Sequence, residues 1–271
     1  MEKVKLHGRV MFSTTITADT GLHIGAQQGG IEIGGVDLTV IRDPLSREPY
    51  IPGSSLKGKM RSLTEKAHES IQNQDVGQAR IHVCNTQGDY DRCMVCPVFG
   101  IPAPAPKQFT SVTLTRLAVR DGKLTRDSAK RLADLNLEMG FVETKTEVAI
   151  DRITSRAVPR TQERVPAGAE FSGELFVYSF YEERDYELFR VVLEALKLVE
   201  DDYLGGQGSR GSGKVHFSKL SLYGRSTADY RLKVPIIEER ESVSSIEAVL
   251  ADQTLIDRIR KAVPLVSKQT T

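Results

Sequence analysis

Four side chains with soft donor atoms fall within one short stretch, as His82-x-Cys84 and Cys93-x-x-Cys96. Zinc prefers tetrahedral nitrogen and sulfur donors, and a Cys-x-x-Cys turn presents two thiolates to one ion. Three reduced cysteines without an ion, or a redox pair, are the competing readings of this spacing. The stretch has little apolar content with which to fold, which favours structural Zn2+ on His82, Cys84, Cys93 and Cys96. Four protein ligands leave no open coordination position, so catalysis is not expected there.

Phosphate chemistry is suggested by GGQGSRGSGKVHF at 205–217. Gly208, four residues and then Gly213-Lys214 follow the spacing of a nucleotide-binding loop, but Val215 stands where a Ser or Thr holds the metal. Such a loop also needs a strand before it and a helix after it, so that free helix N–H groups face the phosphates. Here an amphipathic pattern precedes the loop and an alternating one follows, which argues against an ATP site. Five glycines with Arg210 and Lys214 still let a backbone pass very close to an anion. Contact with a phosphate other than a nucleotide is the expectation.

Arg152, Arg156, Arg160 and Arg164 recur every four residues, for which a solvated stripe is the usual reading. Ile150, Ile153, Thr154, Val158 and Pro159 argue against a continuous helix. An extended hairpin would place the arginines on a common side of each arm, a shape suited to insertion along a nucleic acid. On residues alone, His23 reads as a core or turn histidine and Asp37 as a turn former or cap. No Ser-His-Asp or paired-carboxylate constellation emerges from spacing.

The elements that must position these groups follow from periodicity. Residues 4–17 alternate and predict a first strand, and a glycine-rich connection leads to a short strand at TVIRDP. PGSSLKGKMRSLTEKAHESI predicts a helix with a Pro-Gly turn, serine capping and a cationic first turn. Residues 77–106 read as an inserted lobe ending in IPAPAP, followed by a strand at 111–120 and a helix at 128–140. EFSGELFVYSF is a strand, 186–200 an amphipathic helix, and KVHFSKLSLYG a last strand. This order predicts an α+β, ferredoxin-like sheet enlarged by insertions, with a helix near 244–263 beyond it.

The chain has 271 residues, 39% hydrophobic and 27% charged, which suits one large globular domain or two small ones. No apolar run approaches the ~20 residues of a membrane span, and the start lacks signal-peptide features, so the expectation is a cytoplasmic protein with no membrane partner. The formal charge of +1 is not that of a strongly basic nucleic-acid binder. Basic residues nevertheless gather at 54–61 and 152–164, apart from acidic runs at 182–189, 199–202 and 237–242. Separated patches allow one face to meet a phosphate backbone.

Three long segments, TGLHIGAQQGGIEIGGVDLTVIRDPLSREPYIPGSSLKGKMRS, DRITSRAVPRTQERVPAGAEF and YLGGQGSRGSGKV, stand in an order that resembles the repeating backbone subunit of type III-A CRISPR effector complexes. That subunit belongs to the repeat-associated mysterious proteins (RAMPs), which are similar to enlarged RNA-recognition domains. The likeness spans about residues 4–222, and the type III-B and III-D subunits are also similar. It implies a core over 1–224 with a thumb hairpin at 143–166, and a helical extension over 225–271 for which packing against a neighbouring subunit is the expectation. It implies a guide RNA, a complementary target RNA, further copies of the chain and other type III effector subunits as partners.

The resemblance also implies cleavage of target RNA at regular intervals by Asp37 with a divalent Mg2+ or Mn2+ ion. RNA contacts implied in the same way fall on His23, on Lys57, Lys59 and Arg61 at the helix start, and on Gly205, Gly206, Gly208, Ser209, Arg210, Gly211 and Gly213 of the glycine loop. A Cys/His lobe occurs in only some relatives, so zinc rests on spacing. The alternative reading is a non-catalytic RNA-binding scaffold in which Asp37 only shapes its loop.

Overall fold

Alternation of apolar residues builds the central strand, β1 (Gly8–Ala18), whose Val10, Phe12 and Ile16 are almost fully buried. The computed structural model describes residues 4–25, 38–102, 109, 114–137, 139–238, 243 and 245–265. A two-residue strand β2 (Tyr50–Ile51) leads into helix α1 (Gly53–Ala67). The expected serine cap is absent: Pro52 is the capping residue, and the Gly53 amide donates instead to Asp121 Oδ1 at 2.7 Å. Proline's fixed φ suits a helix entrance, and the orphan donor is met from a distant turn.

The inserted lobe begins soon after α1 and contains the hairpin β3 (Gln74–Val76) and β4 (Ala79–Ile81), α2 (Gln87–Arg92) and the single turn α3 (Cys96–Phe99). Short strands β5 (Leu117–Val119) and β6 (Gly122–Leu124) return to the sheet, and α4 (Arg126–Asp134) follows, capped by the Thr125 hydroxyl on the Ser128 amide. Then come the hairpin β7 (Glu143–Ile150) and β8 (Ala157–Arg164), strand β9 (Glu170–Phe180), helix α5 (Asp185–Asp201) and strand β10 (Val215–Ser226). The last elements are β11 (Val234–Ile237), α6 (Ile246–Ala251) and α7 (Leu255–Ala262).

The main sheet runs β11-β10-β1-β9-β6-β2, with β5 also on β9, and every pairing in it is antiparallel. Helices α1 and α5 cross between its strands. On their side, Val10 faces Tyr178, Phe12 faces Phe176 and Ile16 faces Phe217 and Phe171. Helix α5 is buried around most of its circumference, from Tyr186 through Phe189, Leu193 and Leu196 to Val199. Each such side chain contributes about 1.5–3 kcal/mol of burial.

The single helix expected near 244–263 is two helices, interrupted at Asp252, whose side chain accepts from the Thr254 amide. Ile246, Val249, Leu255 and Ile259 are buried against the chain's own core, and Tyr186 donates its hydroxyl to Val263 O at 2.6 Å. The boundary placed at 224/225 falls inside β10, because β11 continues the same sheet. No helix is long and apolar enough to cross a membrane among the described residues.

Candidate nucleic-acid interface and metal centre

The lobe brings His82, Cys84, Cys93 and Cys96 together, their ligand atoms all within 4.8 Å of one another. His82 Nε2 lies 3.5 Å from both Cys84 Sγ and Cys93 Sγ. Tetrahedral bonds of ordinary Zn–N and Zn–S length imply a nitrogen–sulfur separation of about 3.6 Å, so the cage fits one such ion. His82 Nδ1 lies 3.0 Å from Ile71 O, a group that only accepts, which leaves the Nε2 lone pair free for a metal. The amides of Val95 and Cys96 donate to Cys93 Sγ at 3.3 and 3.2 Å.

Thiol contacts from Cys84 and Cys96, and then these amides, hold the Cys93 pKa far below its ordinary value. Contact with Cys93 raises Cys84, and although the Cys84 contact lowers Cys96, the Cys93 contact and burial together push Cys96 up to about 12. Three core arginines anchor the lobe. Arg61 donates to His82 O at 2.6 Å and Gly100 O at 2.9 Å, Arg184 to Tyr90 O and Cys93 O, and Arg116 to the Tyr90 hydroxyl.

The second cluster forms around residues 19–25, which thread between the glycine loop and the root of the β7–β8 hairpin. On one side the Gly206 amide donates to His23 O at 2.8 Å and the Gly213 amide to Gly21 O at 3.0 Å. On the other, Leu22 and Val165 exchange amide bonds of 2.8 and 2.9 Å. His23 is buried, with Nδ1 at 2.7 Å from Glu163 O, so that nitrogen carries the proton and donates. The reading of His23 as a core histidine therefore describes its position.

Glu163 is fully buried. Its Oε2 accepts from the Val40 amide at 2.8 Å and pairs with Arg42 at 2.9 Å, while its amide donates to Leu38 O at 2.9 Å. One hairpin residue thus binds both flanks of segment 26–37. Asp37 itself lies outside the described residues.

The glycines of the loop answer to packing. Gly205 has φ +80, and a Cβ on it would stand 2.2 Å from His23 O; a Cβ on Gly208 would stand 2.0 Å from the Tyr203 ring. Gly208–Arg210 form a single 3-10 turn with Ser209 and Arg210 exposed. Arg210 pairs with Glu147 of β7 at 3.4 Å, and Lys145 donates to Arg210 O at 3.4 Å. Loop and hairpin meet there. Lys214 donates its ammonium to Glu200 O.

The RAMP superfamily profile matches residues 15–216. The chain belongs to the RAMP superfamily. It is 40% identical over 225 residues to the "CRISPR system Cms endoribonuclease Csm3" of Methanothermobacter thermautotrophicus, a match covering 80% of this chain and 86% of that protein. The protein of the same name from Methanocaldococcus jannaschii is 36% identical over 250 residues, 91% of this chain and 93% of its own. A chain in the "Crystal structure of Csm3-Csm4 subcomplex in the type III-A CRISPR-Cas interference complex" is similar at a TM-score of 0.57 with 26% identity, over 94% of this chain and 98% of that one.

In this RAMP chain the three cations at the start of α1 have partners within the molecule. Lys57 donates to Leu117 O at 2.8 Å, and burial, then the Arg61 charge, lowers its pKa. Lys59 lies over the Tyr203 ring, 3.5 Å from its centroid, and pairs with Asp202 at 2.8 Å. Arg61 serves the lobe and pairs with Glu65 at 2.7 Å. Of the four spaced arginines, only Arg160 and Arg164 lie on a strand, β8; Arg152 and Arg156 occupy the hairpin end. Arg164 pairs with Glu143, whereas Arg152, Arg156 and Arg160 are exposed. Beside them Val148, Ile150, Ile153 and Val158 are exposed too, Ile153 at 94%. Sequence reading missed Glu163, hidden among arginines in RTQER, and Tyr203, which precedes the glycines without a periodic pattern to mark it.

Proposed function

We propose that this RAMP chain is a repeating backbone subunit of a type III CRISPR effector, acting in the cytoplasm, which holds a guide RNA along its length and cleaves complementary target RNA at regular intervals. The observation that carries the reading is the junction at Glu163. Hairpin root, His23 and both flanks of the segment bearing Asp37 share one fully buried residue, and the glycine loop bonds to the His23 backbone. The strand order β10-β1-β9-β6 with two crossover helices supports a ferredoxin-like, RNA-recognition-like core. The hairpin is read as its thumb: an exposed end with Ile153, Arg152 and Arg156 suits a wedge that unstacks bases while cations meet phosphates. The names of the relatives support RNA cleavage and assembly with another type III subunit; further copies along the guide are part of the proposal.

Guide and target pair into an A-form duplex, which proteins grip by backbone and shape. Arg152, Arg156 and Arg160 at the hairpin, with the loop residues Gly206, Gly208, Ser209, Arg210, Gly211 and Lys214, are the proposed phosphate contacts. Phosphate competes with Glu147 for Arg210, an exposed pair that binds weakly. Lys57, Lys59 and Arg61, with their internal partners, would set the helix and glycine loop against RNA. Distortion beside the wedge lets a ribose 2′-hydroxyl attack the adjoining phosphorus, forming a cyclic phosphate and breaking the bond to the 5′-oxygen, which takes a proton from water. Asp37 would accept the hydroxyl proton or help hold the divalent ion. Mg2+ or Mn2+, when bound, supplies positive charge for the developing oxyanions. The separation that matches Zn–N and Zn–S geometry supports Zn2+ as the occupant of the His82, Cys84, Cys93 and Cys96 centre.

The deciding experiment reconstitutes the effector complex with guide RNA and a matched target, with and without Mg2+. Asp37→Ala should abolish cuts at every register while guide loading persists. Cuts that survive in that complex would sink the catalytic assignment and leave the scaffold reading.

A further inference from the structure

The sheet face opposite the helices has a pattern of its own. Pairing places Arg9 between Ser179 and Arg225, Met11 between Val177 and Tyr223, Ser13 between Glu174 and Ser221, and Thr15 between Ser172 and Ser218. Residues paired across strands share a face, so hydroxyls and cations line up over the seven residues Arg9 to Thr15 of β1, roughly 20 Å. Arg9 and Arg225 are direct cross-strand neighbours, a like-charge arrangement that is unfavourable without an anion.

Neither has an ion-pair partner among the described residues, and neither do Lys219 and Lys233. By contrast, Arg42, Arg61, Arg116, Arg120, Arg164 and Arg258 are all paired with carboxylates. Arg225 lies 5.9 and 5.8 Å from the Tyr223 and Tyr230 rings, and Lys233 Nζ is 3.8 Å from the Tyr223 centroid. Arg9 reaches the Ser179 hydroxyl at 3.3 Å and the Tyr230 hydroxyl at 3.2 Å. Arg225 Nη1 donates to Tyr230 O at 3.3 Å, while its Nε is buried with no hydrogen-bond partner among the described residues.

Two adjoining depressions, of about 310 and 420 Å3, lie on this face and share Ser13 and Ser221. Lys233 lines one and Lys219 the other. Lys219 has φ 53, left-handed for a residue with a Cβ, beside the irregularity where the β1–β10 register shifts. A bulge of this kind re-aims a side chain. Two acids line the depressions: Glu174 is engaged by Arg120 and the Tyr223 hydroxyl, so its charge is offset, and Glu238 lines the same depression as Lys233.

We propose that this open face of β1, β9 and β10 is a second docking surface, separate from the hairpin and glycine loop, whose occupant is a single strand of RNA lying with its phosphates toward Arg9, Arg225, Lys219 and Lys233. Unpaired cations match a phosphodiester chain, the half-buried hydroxyls of Ser13, Ser172, Ser218 and Ser221 match its ribose and phosphate oxygens, and tyrosine rings match exposed bases. It rests on the proposed function only in naming RNA as the polyanion.

The test uses the full chain and a labelled 30-nucleotide oligouridylate, titrated at several salt concentrations. Arg9→Gln combined with Arg225→Gln should weaken binding about tenfold and flatten the log–log salt slope by about 1.4, two released counterions on a single strand. Lys219→Gln, at an independent position, should flatten it by about 0.7. Crosslinking of 4-thiouridine RNA to the wild-type chain should label the peptides of Tyr223 or Tyr230. Unchanged slopes in both variants, crosslinks confined to residues 143–166 and 203–214, or tighter binding of polyglutamate than RNA to this face would overturn the proposal. Target cleavage by the assembled complex is read separately, so failure here is distinguishable from failure of the Asp37 assignment.

Discussion

The Glu163 carboxylate accepts the Val40 amide at 2.8 Å from a fully buried position at the root of the hairpin. The same oxygen meets Arg42, which is only partly exposed. Glu163→Ala strands a buried amide and an arginine, and should lower the unfolding free energy by about 2–4 kcal/mol. Glu163→Gln keeps an acceptor for Val40 and should lose about half as much. Urea denaturation of the three proteins checks both; equal losses would mean that packing, and not the hydrogen bond, holds the junction.

Tyr203 lies between Lys59 and the backbone of Gly208. A methyl group on Gly208 must displace the ring, so Gly208→Ala should cost about 1–3 kcal/mol and release Lys59 from its cation–π contact. Gly205→Ala combines left-handed backbone with a clash against His23 O and should cost at least as much. Gly211→Ala has the same φ of +80 but open space around it, and should cost only about 1 kcal/mol. Thermal melts of the three variants rank them.

Metal analysis of gently purified protein should find close to one zinc per chain. Chelation, or Cys96→Ser, should open residues 70–102 to protease before the sheet unfolds. Arg61, Arg116 and Arg184 grip the lobe at carbonyls and a hydroxyl whose positions depend on the Cys/His cage. Simultaneous digestion of lobe and core would contradict this order.

At the hairpin end, Asp151 Oδ1 accepts the Ile153 and Thr154 amides at 2.8 and 2.7 Å, and these bonds depress its pKa below 3.8. A depressed carboxyl contributes its support fully above the unfolded value and loses it as pH falls through the folded one. Ordering of the turn should therefore be constant from neutral pH down to about 4 and fade below it. Carboxyl 13C titration should place the Asp151 midpoint below 3.8, with the Ile153 and Thr154 amide shifts moving together. Asp151→Ala should abolish that coupled movement at every pH.

Local patterns carried much of this protein into view. Cys/His spacing in a stretch too polar to fold alone marked the Cys/His lobe, because ligand geometry is short-range. Alternation in EFSGELFVYSF and in KVHFSKLSLYG marked β9 and β10, since a sheet with one covered face must alternate. Three ordered motifs marked the family. The sequence also excluded a nucleotide loop at 205–217, as helix precedes strand there.

Tertiary structure decided the rest. That Gly205 and Gly208 serve close packing against His23 and Tyr203 depends on contacts between segments some 180 residues apart and between neighbours folded back, neither of which leaves a periodic trace. Glu163 looks like one more charge in a basic run until burial sets it beneath Val40 and Arg42. Lys57 and Arg61 read as a cationic surface until the fold supplies carbonyls that satisfy them. The C-terminal segment reads as an appendage, yet β11 pairs with β10 and the apolar sides of α6 and α7 close over the core. The unpaired cations of the open sheet face come from β1, β10 and the turn before β11, and only strand register sets them side by side.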